Sequence, residues 1–253
     1  MTDTAQAFTP TFLKRLPTAS PNGEVARVLL SFLTTAGFFY INIMPAFVDG
    51  LITALGFTSR EAGLVGSANM YGAALGALTA VFVVKSINWK KTALGLLLIL
   101  MALDLFSVWV QEPQALMVLR FVHGCFGGLL VGIGFAIISR TLNTERTFGY
   151  LLSIQFGLGG LGLMYLPGLV PEYGLKALLV SLAVFSFVTL CMLPFIADYP
   201  VNKEKEAVTA SQGEGVNWRP LMLALLTTFL FQAANMGIYA YIMSMGKYYG
   251  LEE

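Results

Sequence analysis

Residues 116–139 read LMVLRFVHGCFGGLLVGIGFAIIS, a run in which Arg120 is the one charged side chain. A helix needs about 20 predominantly apolar residues to cross the ~30 Å hydrocarbon core of a bilayer. This stretch is long enough and apolar enough to do so. It also carries an arginine where a guanidinium costs about 2.5–3.5 kcal/mol on insertion scales unless it is paired or hydrated. The segment therefore predicts an integral membrane protein and singles out Arg120 as a residue of interest.

The composition of the whole chain supports membrane insertion. Apolar residues make up 57% of the 253 residues and charged residues only 11%, where a soluble domain has about 25% charged residues. A net charge of +1 excludes a strongly basic nucleic-acid-binding surface. The two cysteines and the one histidine form no metal-ligand pattern, so we expect no metal and no cofactor. We also expect no enzyme activity, because no nucleophile–base cluster is present.

Seven apolar segments of spanning length are predicted, six in close succession and a seventh after a polar stretch. They are Val28–Leu55, Ala62–Val84, Thr92–Val110, Leu116–Ser139, Thr147–Val170, Leu178–Ile196 and Pro220–Met245. The short connections between the first six make neighbouring helices antiparallel. The fold class is therefore an all-α membrane protein, a six-helix bundle plus a seventh transmembrane helix. We divide the chain into a tail (1–27), the bundle (28–196), a polar linker (197–218) and the first helix of an incomplete second bundle (219–253).

The basic residues predict the orientation of these helices. Lys and Arg are enriched in cytoplasmic loops of membrane proteins. The N-terminal tail and the loops on its side hold Lys14, Arg15, Arg27, Lys85, Lys90, Lys91, Arg140, Arg146, Lys203, Lys205 and Arg219. The opposite side holds Arg60, Lys176 and Lys247. This asymmetry predicts a multi-pass protein of the cell (inner) membrane with a cytoplasmic N-terminus and a cytoplasmic linker.

The fourth segment carries a pattern that resembles the major facilitator superfamily. Its motif in that helix is Leu-x-x-x-Arg-x-x-Gln-Gly, and this chain has Leu116, Arg120 and Gly124 in register, with His123 in the glutamine position. The six-helix layout and the central cytoplasmic loop are similar as well. The resemblance implies a twelve-helix transporter, of which this chain is one half plus the first helix of the next.

A second motif of that family, between helices two and three, is only partly present. Its closing basic pair is matched by Lys90 and Lys91. Ser86 stands in place of the acidic residue and Trp89 in place of the second glycine. The usual cytoplasmic gate contact is therefore not expected in its common form.

Polar side chains mark one face of the first and of the seventh segment. Thr35, Asn42 and Asp49 are spaced by seven residues, and an ideal helix drifts only about 20° over seven. Pro45 lies within the same stretch and is expected to loosen the helix. The seventh segment has the corresponding set Gln232, Asn235 and Tyr239. In the resembled family these helices line the central cavity, and the alternative is that the polar groups join helices by hydrogen bonds.

Two intramembrane charges suggest an ion pair. Helix three rises towards the outer side and helix four returns from it, so Asp104 and Arg120 are predicted at similar depth. Asp49 is a rival partner for Arg120. Protonation of the paired carboxylate would weaken the pair and couple proton movement to opening. The alternatives are a purely structural pair, or an Arg120 that snorkels to the outer interface.

Glycines recur at intervals of four in two of the segments. Gly72 and Gly76 lie in the second, and Gly124, Gly128 and Gly132 lie in the fourth. Small residues at this spacing let transmembrane helices approach closely. We interpret these glycines as packing residues, and we interpret Asn69 and Gln155 in the same way.

We interpret the chain as a permease of the major facilitator type, present as a truncated or partial chain. Such a permease moves a small solute by alternating access, driven by a proton or solute gradient. Its expected partners are a small-molecule substrate, protons, the lipid bilayer, and either a missing C-terminal half or a second copy. The alternatives are a non-transporting scaffold, a half-transporter that dimerises, or a seven-helix receptor or rhodopsin-like protein. The last is disfavoured because a retinal-binding lysine is absent from the seventh segment; Lys247 follows its end.

Overall fold

Every regular element in the part of the chain that the structure describes is helical. The structure is a computed structural model, and it describes residues 17–200 and 217–251. The α-helices are α1 (Glu24–Asn42), α2 (Met44–Leu55), α3 (Ser59–Val83), α4 (Trp89–Ser107), α5 (Pro113–Ile138), α6 (Thr144–Tyr165), α7 (Val170–Tyr173), α8 (Lys176–Met192), α9 (Trp218–Tyr239) and α10 (Ile242–Tyr248). Short 3-10 turns follow α6 and α8, at Pro167–Leu169 and Leu193–Phe195. The predicted all-α class is confirmed.

Six helical spans of the described residues are long and apolar enough to cross a membrane, namely α1, α3, α5, α6 continued through α7, α8 with the 3-10 turn after it, and α9. The predicted third segment, Thr92–Val110, does form a helix, α4, but it is not among the six. The reason is its charge, because α4 begins three residues earlier than predicted and so includes Lys90 and Lys91 as well as Asp104.

The first predicted segment is two helices rather than one. The chain breaks at Ile43, whose φ of −104° and ψ of 12° lie outside the helical region. Pro45 causes the break, since a proline inside a helix lacks the N–H that would bond the carbonyl four residues back. Because α2 restarts with Pro45 in its first turn, Asp49 lies on a different helix from Thr35 and Asn42. The expectation that the three share one continuous helical face is therefore wrong.

Several helices begin before the apolar residues do, because capping side chains start them. Thr58 and Glu61 form a reciprocal capping box at the start of α3, so the helix begins at Ser59 rather than Ala62. The Asn88 side chain accepts a hydrogen bond from the N–H of Lys91 and starts α4 in the same way.

The bundle is held by two buried apolar clusters, one towards each end. The cluster at the end where α1 begins includes Leu30, Leu97 and Ile137, from α1, α4 and α5. The opposite cluster includes Phe47, Leu116 and Leu178, from α2, α5 and α8. The main contacts run between α3 and α5, between α1 and both α5 and α6, and between α4 and α8.

The described residues just after α8 contact the bundle. Ala197 and Tyr199 are buried, and the Tyr199 hydroxyl donates to the carbonyl oxygen of Pro21 at 2.7 Å. Burial raises the pKa of the Tyr199 phenol above its ordinary value, so the hydroxyl stays protonated into more alkaline solution. Arg140 at the end of α5 donates to the Tyr199 carbonyl at 3.0 Å. Ala197 and Tyr199, which fall in the predicted linker, thus pack against the bundle; residues 201–216 lie outside the described residues.

The seventh segment contacts the bundle mainly through its second half. None of the residues of α9 is buried. At the α9–α10 junction, Tyr239 donates to the carbonyl of Asn42 at 2.6 Å and Tyr241 donates to the carbonyl of Ser59 at 3.0 Å. The contact therefore falls on the break between α1 and α2 and on the start of α3.

The α3–α5 contact is built from glycines on both helices. A Cβ at Gly76 would overlap the carbonyl oxygen of Cys125, and one at Gly72 would overlap that of Phe121. A Cβ at Gly124 would overlap the carbonyl oxygen of Asn69, and added Cβ atoms at Gly128 and Gly132 would overlap Ala73 and Ala80. The backbones touch directly, so all five glycines have a steric reason to be there.

Alanine at Gly76 or Gly124 is expected to destabilise the bundle, because the overlapped atoms are backbone and cannot move without separating the helices. The expected loss is about 1–3 kcal/mol, the usual cost of overpacking. It would be measured by denaturant unfolding of the detergent-solubilised protein. The matched control is Gly95→Ala in α4, where an added Cβ meets nothing within 4 Å. That variant should be neutral or slightly stabilising, because alanine is the better helix former. Equal losses in all three variants would contradict the assignment.

Candidate functional site

Arg120 lies fully buried at the centre of a polar cluster between α4 and α5. Its Nη1 donates to Oδ1 of Asp104 at 2.8 Å. Its Nη2 donates to the carbonyl oxygen of Leu103 at 3.3 Å and to the hydroxyl of Ser107. The guanidinium is thus paired inside the bundle, and the alternative in which Arg120 snorkels to the interface is wrong.

The local sequence explains why these groups meet. Asp104 and Ser107 are three residues apart on α4, and residues at this spacing share a helical face. The antiparallel turn between α4 and α5 then brings Arg120 to their level. Arg120 lies seven residues beyond Pro113, the first residue of α5, so it is about 10 Å inside the end of the helix. At this depth both members of the ion pair are needed for stability, because removing one partner leaves an uncompensated buried charge.

His123 joins the same cluster one turn further along α5. Its Nε2 lies 3.3 Å from Oδ1 of Asp104, and its Nδ1 lies 2.9 Å from Nδ2 of Asn69. Nδ2 of Asn69 also donates to the backbone carbonyl of Arg120 at 3.0 Å. That second bond identifies the nitrogen of the amide, because a carbonyl oxygen can only accept. Asn69 therefore ties α3 to α5 at two points.

Aromatic rings close the cluster from α1 and α2. The rings of Tyr40 and Phe47 each lie 5.8 Å from the guanidinium carbon of Arg120, within cation–π range. Three buried polar atoms of the cluster have no hydrogen-bond partner among the described residues: the hydroxyl of Tyr40, Oδ2 of Asp104 and Nε of Arg120. Buried polar atoms are usually paired, so these three mark a site with spare hydrogen-bonding capacity.

Asp49 is not the partner of Arg120, contrary to one of the two pairings expected from the sequence. Its Oδ2 instead accepts from Nζ of Lys247 at 2.8 Å, and its Oδ1 lies 3.4 Å from the hydroxyl of Ser244. Both partners lie on α10. The Asp49 side chain is 8% exposed and that of Lys247 is 42% exposed. The pair therefore joins the middle of α2 to the seventh segment.

Asn42 joins three helices at the break between α1 and α2. Its side-chain amide donates to the carbonyl of Gln155 on α6 at 3.1 Å and accepts from the Gln155 side chain at 3.4 Å. Its backbone carbonyl accepts from Tyr239. Thr35 is fully buried, and its hydroxyl has no partner among the described residues. The structure thus places Asn42 and Tyr239 as hydrogen-bonding links between helices.

The remaining polar residues of α9 are not part of the cluster. Gln232 and Asn235 are exposed on a helix that has no buried residue. Only Tyr239, at the end of that helix, reaches the bundle. The structure therefore does not bring together Gln232 and Asn235 with Arg120.

Lys90 and Lys91 lie in the first turn of α4, at the end of the bundle where α1 begins. Nζ of Lys90 sits 5.5 Å from the centre of the Trp89 ring. Nε1 of Trp89 donates to Oδ1 of Asp198 at 3.2 Å. The loop between α3 and α4 lacks an acidic residue, and a carboxylate from the segment after α8 lies against its tryptophan instead.

The comparison with known families agrees with this arrangement. The sequence profile described as Major Facilitator Superfamily matches residues 28–252. The chain belongs to the major facilitator superfamily. A search of curated protein sequences finds no match. The chain is accordingly a multi-pass membrane transporter of this superfamily, whose members are generally not enzymes.

The cavities that border the bundle of this transporter include two with distinct walls. One of about 740 Å³ is lined by Asp49, Thr53 and Lys247 together with the segment around α7. The other, of about 470 Å³, lies between α1, α3 and α5 and has an almost wholly apolar wall that includes Phe38 and Met70. Arg120 borders neither of these two, because it is sealed inside the bundle.

Several members of the site carried little or no signal in the sequence. Tyr40 and Ser107 were not singled out, and Asn69 was interpreted as a packing residue. Ser107 had a usable signal, since its spacing of three from Asp104 places both on one face of a helix. Tyr40 and Asn69 had none, because their partners lie on other helices.

The buried pair gives a specific expectation for substitutions in this transporter. Arg120→Gln and Asp104→Asn are each expected to lower the free energy of unfolding by about 3–5 kcal/mol, because each leaves the other charge buried alone. The double variant should lose clearly less than the sum of the two. Denaturant unfolding in detergent would measure all three. The control is Arg60→Gln at the exposed start of α3, expected within about 0.5 kcal/mol of the parent. Additive losses would show that the two side chains do not interact.

Proposed function

We propose that this chain is part of a secondary active transporter that moves a small solute by alternating access, coupled to a proton or solute gradient. The observation that carries the proposal is the buried cluster of Arg120, Asp104 and His123 inside a bundle of this superfamily. Ionisable side chains within a membrane are costly, and they usually mark ion pathways, proton relays or substrate sites. A cluster that only held helices together would not require a titratable imidazole.

The contact between α2 and α10 supports alternating access. In this conformation Asp49 and Lys247 close the gap beside the 740 Å³ cavity. A movement of the seventh segment away from the bundle would break this pair together with the two tyrosine contacts at Asn42 and Ser59. We propose that these contacts belong to a state closed at this end of the protein.

Alternating access requires a second bundle against which the first can move. The described residues supply one bundle and the helix α9, whose surface is exposed along its length. We propose that the second bundle is provided by further helices of the same kind, on a longer chain or on a second copy. A half-transporter that dimerises would thus perform the same function, with the second bundle supplied by the second copy.

We propose that the protein lies in the cell (inner) membrane with the N-terminus in the cytoplasm. The support is the excess of Lys and Arg on the N-terminal side, including Lys90 and Lys91. Cysteine substitution at exposed Ser86 and at exposed Glu112, in a chain with Cys125 and Cys191 replaced by serine, would test it. A membrane-impermeant thiol reagent added to intact cells should label position 112 and leave position 86 unlabelled until the membrane is opened. The reverse pattern would overturn the orientation.

Transport itself is tested in proteoliposomes that contain a pH-sensitive dye and the purified protein. A panel of sugars, organic acids, amino acids and lipophilic cations is added in turn under an imposed pH gradient. We expect at least one solute to change the rate of internal pH change, and Asp104→Asn to reduce that response by a factor of ten or so, about 1.4 kcal/mol in the barrier. Arg60→Gln serves as the control and should transport normally. A protein that binds none of the solutes and moves no protons with any of them would favour the scaffold alternative.

A further inference from the structure

His123 is the only histidine in the chain, and it is almost fully buried, with 4% of its surface exposed. Each ring nitrogen has one polar neighbour, Asp104 at Nε2 and Asn69 at Nδ1. An imidazole can carry a proton on one or on both of its ring nitrogens, so the partner at each nitrogen decides which form fits.

The hydrogen bonds fix the form of the imidazole. Nδ2 of Asn69 donates to Nδ1, so Nδ1 must be the unprotonated nitrogen. Nε2 then carries the proton and donates it to the carboxylate of Asp104. These hydrogen-bond partners assign the Nε2–H tautomer to His123. The charges of Arg120 and Asp104 balance each other.

We propose that His123 is a proton-binding site in the interior of the bundle, and that it takes its proton at Nδ1 only when the side-chain amide of Asn69 turns round. Once Nδ1 carries a proton it is a donor, and an amide nitrogen facing it would be a donor as well. A half-turn of the Asn69 amide presents its Oδ1 to the new N–H. The proton is taken from a hydronium ion, whose O–H bond breaks to leave water, and no other covalent bond changes.

The amide cannot keep both of its present bonds after this turn. Its Nδ2 would leave the carbonyl oxygen of Arg120, which it now contacts at 3.0 Å. The carbonyl belongs to α5 and Asn69 belongs to α3, so protonation of His123 removes a tie between these helices. The same stretch of the two helices is where Gly72 and Gly124 bring the backbones together.

The charged and titratable groups around His123 determine the net charge of the cluster once His123 has bound a proton. Asp104 faces it from α4, Arg120 lies on its own helix, and the Tyr40 ring from α1 lies 5.9 Å from the imidazole ring. Asn69, the group that faces it from α3, does not titrate. A proton on His123 therefore leaves the cluster with one net positive charge. A buried net charge favours a conformation in which water reaches the cluster, so proton binding would promote opening.

The primary experiment uses the full chain, labelled with ¹⁵N-histidine and reconstituted in lipid nanodiscs. Because the chain has one histidine, each ring nitrogen gives one signal, with no assignment needed. We expect a neutral Nε2–H imidazole at high pH and conversion to imidazolium as the pH falls. A neutral Nδ1–H form would overturn the proposal. So would an imidazole that stays neutral, or stays charged, over the whole range in which the protein remains folded.

Two variants of Asn69 test the amide turn by the sign of their effect. Asn69→Asp puts an acceptor permanently opposite Nδ1 and should raise the midpoint of protonation by about one pH unit. Asn69→Leu leaves the new N–H of the imidazolium unpaired and should lower the midpoint by about one pH unit. The control is Thr79→Val on the same helix, whose exposed hydroxyl bonds only within α3, and whose midpoint should not move. A midpoint raised by leucine would show that Asn69 does not turn to accept, and would overturn the proposal even if one of the variants fails to fold.

The inference deepens the proposed coupling to protons, but its test needs no transported solute. If no solute in the panel gives a response but His123 titrates, the proton-binding site is supported and the transported solute stays unidentified. If a solute drives proton movement but His123 never titrates, the proposed transport function is supported. The proton-binding site must then be a residue other than His123.

Discussion

The burial of Arg120 is the constraint on which the rest of the bundle depends. A guanidinium inside hydrocarbon is tolerated when it is paired and its donors are used. The carboxylate comes from Asp104, which fixes α4 against α5 at one depth. The backbone of α5 at Arg120 is in turn bonded by Asn69, and that bond requires α3 to touch α5. The glycine contact and the ion pair therefore depend on each other. The glycines let α3 approach α5 closely, and α3 carries Asn69, which completes the polar cluster.

Much of the fold follows from properties that are local in sequence. Apolar length predicts each spanning helix, and the short turn between α4 and α5 predicts that Asp104 and Arg120 lie at one level. Helix ends were predicted less well, since hydropathy ignores capping. Thr58 and Asn88 begin α3 and α4 ahead of the apolar residues. These caps could have been read from the sequence, because a Ser, Thr or Asn followed three residues later by a suitable partner is a known helix start.

The rest of the site could not be predicted, since it depends on how whole helices pack. Asn69 and His123 are 54 residues apart, and Asp49 and Lys247 are 198 apart. No spacing in a single sequence marks such pairs. The expectation that Asp49 and Asn42 lie on one continuous helix failed for a different reason. It assumed an unbroken helix, whereas the chain forms α1 and α2, which meet at Ile43 just before Pro45.

The two kinds of contact in the structure differ in strength, and the difference says which part moves. Within the bundle, helices are joined by direct backbone contact and by a buried ion pair whose disruption costs about 3–5 kcal/mol. Between the bundle and the seventh segment, the contacts include two tyrosine hydroxyls, the pair of Asp49 with Lys247, the Ser244 hydroxyl near Asp49, and apolar packing at the α9–α10 junction. Lys247 is 42% exposed, and ion pairs that reach solvent are worth about 0–1 kcal/mol. The bundle should therefore stay intact while the seventh segment separates from it. The alternating access proposed above is compatible with this order of strengths, because the weaker contact can open while the buried ion pair stays formed.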